Sequence, residues 1–149
     1  MTIHMEKIML RNDDVFNLTR REQDIMNILW MSEDSLTASE IAKSREKLSI
    51  NTVQAGLKKL MAKELIEVDK VVYSGTVLCR SYKPCISFAE FETERLAYHF
   101  SRSENKISMS CFVASFLEQE KDDKTMLADI EALEDLLKRK KMELRKKEE

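Results

Sequence analysis

Apolar residues recur three to four positions apart in several stretches, and each stretch follows a helix-start signal. Thr19-Arg20-Arg21-Glu22 precedes Ile25, Met26, Ile28, Leu29 and Trp30. In such a box the threonine hydroxyl takes the amide three residues on, and the glutamate reaches back. Thr37-Ala38-Ser39-Glu40 repeats the signal ahead of Ile41 and Ala42, and Ser49 precedes Ile50, Val53, Leu57, Leu60 and Met61. Ser87-Phe88-Ala89-Glu90 opens a run with Phe91, Leu96 and Phe100. Each of these patterns predicts a helix. Between the third and fourth the period changes. Leu65 to Tyr73 alternates and is β-branched, Ser74-Gly75 is a turn signal, Thr76 to Tyr82 resumes the strand character, and Pro84 ends it. The order predicts a mostly α fold with one β-hairpin. It is that of a winged helix-turn-helix domain over residues 1–84, followed by a helical dimerisation domain over residues 85–149.

Composition narrows the function. The 149 residues include 35% charged and 7% aromatic side chains, two Gly and one Pro. This excludes β-sandwiches, Gly-rich nucleotide-binding folds and Pro-rich disorder. The net charge of −2 means that any nucleic-acid site must be local. Residues 1–83 are net +1 and residues 84–149 net −3, which supports a boundary near Pro84. Residues 49–83 hold six basic and three acidic side chains, a modest positive footprint that ordinary surface lysines would also give. No apolar run approaches a membrane span, and Met1 to Val15, with Glu6, Asp13 and Asp14, lacks a secretory core. Cys79, Cys85 and Cys111 are odd in number and without C-x-x-C spacing, so reduced, mostly buried thiols in a cytoplasmic protein are expected. Two histidines and no nucleophile, phosphate-loop or metal motif leave no enzyme, cofactor or metal site to expect.

The third helix has its own chemistry. In a helix-turn-helix the second helix of the motif enters the major groove and its first residues meet base edges. Ser49 falls at the N-cap, where free amides also favour a phosphate. Asn51, Thr52 and Gln54 are polar and early in the helix, and Asn and Gln can pair bidentately with adenine. Lys58 and Lys59, one to two turns on, suit phosphates. Asn51 and Gln54 would equally suit a solvated helix face. On the wing, Lys70, Arg80 and Lys83 are candidate phosphate contacts, or else charges that discourage strand pairing at an edge. Gly56 inside the helix permits close approach, either of another helix or of DNA.

The tail reads as an association module. Phe91, Leu96, Tyr98 and Phe100 are followed by Phe112, Val113, Phe116 and Leu117, and then by Leu127, Ile130, Leu133, Leu136, Leu137 and Leu144 at helical spacing. Asp122 and Asp123 open the last helix and Arg145 to Lys147 close it, matching the helix dipole. So much apolar surface is not buried by a small tail alone. A second copy would cover it, with Phe91, Leu96, Phe100, Phe112, Phe116, Leu127, Ile130 and Leu137 as contacts; folding back on the winged helix is the alternative.

Residues Leu18 to Ile86 resemble the penicillinase-repressor (BlaI/MecI) family, with the copper-responsive CopY repressors as relatives. The matching pieces are Leu18-Thr19-x-x-Glu22-x-x-Ile25-Met26-x-Ile28-Leu29-Trp30, Thr37-Ala38-x-Glu40-Ile41, Ser49-x-x-Thr52-Val53-x-x-x-Leu57-x-x-Leu60-x-x-Lys63-x-Leu65-Ile66 and Tyr82-x-Pro84. The Leu29-Trp30 helix ending is the most specific of them. The resemblance implies a dimeric transcriptional repressor with an N-terminal winged helix; a two-fold dimer would bind double-stranded DNA at a palindromic operator, and the absence of an apolar span leaves no membrane partner to expect. The chain departs from the family at Gln54, often Arg in relatives, and at Glu64, where Gly usually closes the helix. The resemblance also implies an upstream signalling protease, which in the family leads to cleavage of an Asn-Phe bond. Here Ser115-Phe116 falls at that bond, so the protease is a doubtful partner. The C-x-C motifs of the copper-responsive relatives are missing, since no cysteine follows Cys111. The rival reading is a protein-interaction module that uses a winged helix without reading DNA.

Overall fold

The computed structural model describes residues 15–103, 107–119 and 122–149. The stretch read for a secretory signal lies outside them, apart from Val15. Two compact units divide between Ser101 and Arg102.

The first unit opens with α1 (Arg20–Met31), β1 (Leu36–Thr37), α2 (Ala38–Lys43) and α3 (Ile50–Ala62). It continues with β2 (Ile66–Ser74), β3 (Val77–Pro84) and α4 (Phe88–Ser101). Of the three predicted capping boxes, those at Thr19 and Thr37 form in full, and at the third Ser87 accepts the Glu90 amide at 3.1 Å. The Thr19 amide donates to Glu22 at 2.7 Å, and the Thr37 amide to Glu40 at the same distance. Ser49 caps α3 by accepting the Thr52 amide at 3.1 Å. The apolar stripes of α1, α2 and α3 then share one core, in which Ile25, Met26, Ile41, Val53 and Leu60 are fully buried. Gly56 lies where α3 crosses α1, and a Cβ there would overlap Ile25 Cδ1. Its close approach is therefore to a helix.

The ends of α3 are fixed by different means. At its C-terminus the Leu65 amide reaches the Leu60 carbonyl (3.1 Å) and the Glu64 amide reaches Met61 (3.0 Å), a Schellman closure. This closure needs a left-handed residue, and Glu64 supplies it at φ 59°. One residue earlier, Lys63 Nζ lies 3.4 Å from the buried Glu22 carboxylate and donates to the Asn17 carbonyl at 3.0 Å. At the other end Arg45, in the α2–α3 turn, pairs with Asp24 of α1.

The wing is an antiparallel sheet of order β1-β3-β2. β1 pairs Leu36 with Tyr82 and Thr37 with Ser81. This two-residue strand is too short to have shown any period in the sequence. In the hairpin Val68 faces Tyr82 and Lys70 faces Ser81, so Asp69 is a bulged residue. The buried Ser81 hydroxyl holds the bulge, donating to the Lys70 carbonyl at 3.1 Å.

Helix α4 belongs to the winged unit, so this unit runs past Pro84, where composition put the boundary. Phe91 is fully buried, with its ring 5.6 Å from Phe16 and 5.4 Å from Trp30. The Trp30 indole donates to the Ile86 carbonyl at 2.9 Å. Phe91 had been expected at a subunit contact, but its surface is buried inside its own chain.

The second unit holds α5 (Met109–Gln119) and α6 (Asp123–Glu148). Asp122 caps α6 through the Thr125 amide at 3.1 Å. Neither helix has a buried residue. Their apolar faces line a groove of about 440 Å³ between Phe112, Phe116 and Leu117 on one side and Met126, Leu133 and Leu136 on the other.

Candidate nucleic-acid interface

Helix α3 and the wing enclose a shallow groove of about 260 Å³ lined by Gln54, Leu57, Lys58, Met61, Arg80 and Tyr82. The spacing explains the helical side. Positions 54, 58 and 61 fall within one narrow stripe at about 100° per residue. The neighbouring stripe of Val53, Leu57 and Leu60 is buried and fixes the rotation of the helix. The wing contributes alternate residues of β3, Arg80 and Tyr82, because successive strand residues point to opposite faces. An amide and two cations thus share one opening.

The other expected DNA contacts are placed differently. Asn51 is exposed in the first turn of α3. The Ser49 and Thr52 hydroxyls lie 2.8 Å apart, so both side chains serve the helix cap. Lys59 is exposed about 100° around the helix from Lys58, outside the groove. Lys70 is exposed on the opposite face of the hairpin from Arg80. Lys83 does not project freely. It is held between Asp69 (3.3 Å) and Glu67 (3.4 Å), and the Asp69 hydrogen bond raises its pKa further. Asp69 is held below its usual value by a hydrogen bond with Ser35 and then by Lys83. Lys83 is thus paired with two carboxylates of its own sheet across the bulge.

Sequence reasoning missed Met61 and Tyr82 as groove walls. Met61 was read only as part of the helix's apolar run, and its side chain is exposed. The strand alternation that places Tyr82 beside Arg80 was legible. The thiols also differ from expectation: Cys79 and Cys85 are half-buried and Cys111 is exposed. Burial pushes the Cys85 thiol up to about 11, and Glu67 adds to the effect. Among the described residues no group of three or more acidic, His or Cys side chains is placed to hold a metal ion. No helix among the described residues is long and apolar enough to cross a membrane.

The model of the family described as penicillinase repressor matches residues 18–139. The chain belongs to the penicillinase repressor family. The match takes in the winged helix, α4, α5 and most of α6. Membership makes the chain a DNA-binding transcriptional regulator. Among solved structures, a possible transcriptional regulator from Methanosarcina mazei Go1 is 19% identical, with a TM-score of 0.47, over 79% of this chain and 89% of that one. The S. aureus MepR–DNA complex is 21% identical, with a TM-score of 0.42, over 76% and 90%. No curated protein matches the chain.

Proposed function

We propose that this penicillinase repressor family member is a dimeric repressor that reads a palindromic operator with α3 and the wing. The observation behind the reading is the groove that gathers Gln54, Lys58 and Arg80 on one surface. With α3 in the major groove, Asn51 and Gln54 face base edges, and Lys58 and Arg80 approach the flanking phosphates. A protein-interaction module would have no need to expose an amide and two cations together.

The second unit supports the dimer. Phe116 is 55% exposed and Leu127 61%, while the Phe112 and Phe116 rings meet edge-on at 5.0 Å. Phe112 and Ile130 are half-buried and Leu137 is exposed; on α4 of the first unit, Phe100 is half-buried and Leu96 exposed. A second copy is the occupant that would complete the apolar groove between α5 and α6. Two half-sites are then read about one helical turn apart or a multiple of it. The Ser115–Phe116 bond lies inside α5, with the Ser115 hydroxyl donating to the Cys111 carbonyl at 2.9 Å. It is hydrogen-bonded helix and not an open loop, which adds to the case against cleavage there.

Footprinting and titration on the DNA upstream of the protein's own gene test the reading. Gln54→Ala is expected to change sequence preference. Lys58→Ala is expected to weaken all duplexes alike and lower the salt slope by about one. A wild-type protein with no preference for that DNA over random duplex would overturn it.

A further inference from the structure

We propose that two copies of the chain pair through antiparallel α6 helices that cross near Leu137, the acidic first half of each lying on the basic second half of the other. The inference rests on the dimer proposed above and adds its orientation. The first thirteen residues of α6 hold five acidic side chains and one basic, and the last thirteen hold seven basic and two acidic. The helix dipole accounts for charges in the first and last turns only. Glu131, Glu134, Lys138 and Lys141 lie in the middle of the helix, beyond its reach. Among the described residues Glu131 and Glu134 make no ion pair, and of the seven cations only Lys140 does, with Glu143 at 3.3 Å.

An apolar seam runs beside these charges. At about 100° per residue, Ile130, Leu137 and Leu144 fall on one stripe with Leu127. The stripe lies about a quarter turn from the face of Met126, Leu133 and Leu136 that lines the groove with α5. Leu127, Leu137 and Leu144 are 61%, 60% and 54% exposed. Glu131, Glu134, Lys138, Lys141 and Arg145 border the stripe on the side away from α5. A seven-residue apolar repeat flanked by charges is a helix-pairing seam, and the flanking charges set its direction.

Symmetry chooses between the two directions. A two-fold pair uses the same patch on both copies. Run parallel, the helices set acidic half beside acidic half and basic beside basic. Run antiparallel, with the axis at Leu137, Ile130 of one copy meets Leu144 of the other and Leu137 meets its own counterpart. Glu131 and Glu134 then come beside Lys138, Lys141 and Arg145, because like flanks face each other across an antiparallel seam. Five of the seven cations lie beyond residue 139, where the family match ends.

The test uses the full chain in analytical ultracentrifugation. Glu131→Lys/Glu134→Lys and Lys138→Glu/Lys141→Glu are each expected to dimerise about tenfold more weakly than wild type, with unchanged helical content by circular dichroism. Mixed in equal amounts, the two variants should form a heterodimer of near wild-type affinity, which a misfolded variant would not. Disulfide trapping in a Cys111→Ser chain reads the direction. Copies carrying Ile130→Cys and copies carrying Leu144→Cys should crosslink to one another and not to themselves, since the two positions are about 21 Å apart along one helix. Self-crosslinking at either position without the mixed product would mean a parallel pair and overturn the proposal. So would charge variants that dimerise as wild type does, or that stay apart when mixed; either result leaves the dimer itself standing. A monomeric wild type would overturn both.

Discussion

Glu22 joins two jobs in one side chain: it closes the capping box of α1 and receives Lys63 from the end of α3. Burial pushes its carboxyl up, but the Thr19 amide and the Lys63 charge outweigh this and leave the pKa below its usual 4.5. A depressed carboxylate stabilises the fold above its unfolded pKa, and that contribution is lost as pH falls through the folded value. Glu22→Gln should therefore lower the urea midpoint at about pH 7, with the gap to wild type closing once pH falls below 4.5. A constant gap across that range would assign Glu22 a role independent of its charge. Gly56 gives a second test. Gly56→Ala gains helix propensity but collides with Ile25 Cδ1, the atom that Ile25→Val removes. The double variant should be more stable than the two single changes predict, by about 1 kcal/mol of coupling. Neither contact was legible in the sequence. The Thr19–Glu22 box was, because both partners are local, whereas Lys63 and Ile25 are brought in by helix crossings that no period records.

At the scale of elements, local signals were enough for α1, α2, α3 and the hairpin, since capping residues, period and turn agree at each. They failed for β1, which exists only because Leu36 and Thr37 meet Tyr82 and Ser81 across the sheet. They also missed the allegiance of α4. Its apolar residues looked like a partner face, and only Phe16 and Trp30 show that Phe91 is spoken for within the chain. The groove was half legible: Gln54, Lys58 and Arg80 were named, but that they share one opening depends on how α3 sits against the wing. The Schellman closure of α3 offers a further prediction. A non-glycine residue in the left-handed region costs about 1 kcal/mol or more, and Glu64 holds that conformation at φ 59°. Glu64→Gly should raise stability by about 1 kcal/mol in chemical denaturation and leave DNA affinity unchanged.

At the scale of the whole molecule, operator affinity depends on holding two half-sites at once. A monomer forfeits the effective concentration that the second arm provides. Phe116 is exposed in the single chain, so Phe116→Ala leaves the winged unit folded. If a second copy covers the ring, its loss costs about 3–5 kcal/mol. The variant should be largely monomeric at micromolar concentration by light scattering and bind the full operator far more weakly in a mobility shift. A stable dimer with lost DNA binding, or a monomer with unchanged affinity, would refute this coupling.

The contact between Trp30 and the start of α4 has one more consequence. Trp30 is the chain's only tryptophan, and it is wedged against Phe88 and Phe91 with its indole N–H on the Ile86 carbonyl. Its fluorescence is therefore a built-in gauge of whether α4 stays seated, with no label required. Emission that holds its colour as operator is added would report a rigid seat. A shift to the red would report that grasping DNA at one end of the winged unit loosens the other.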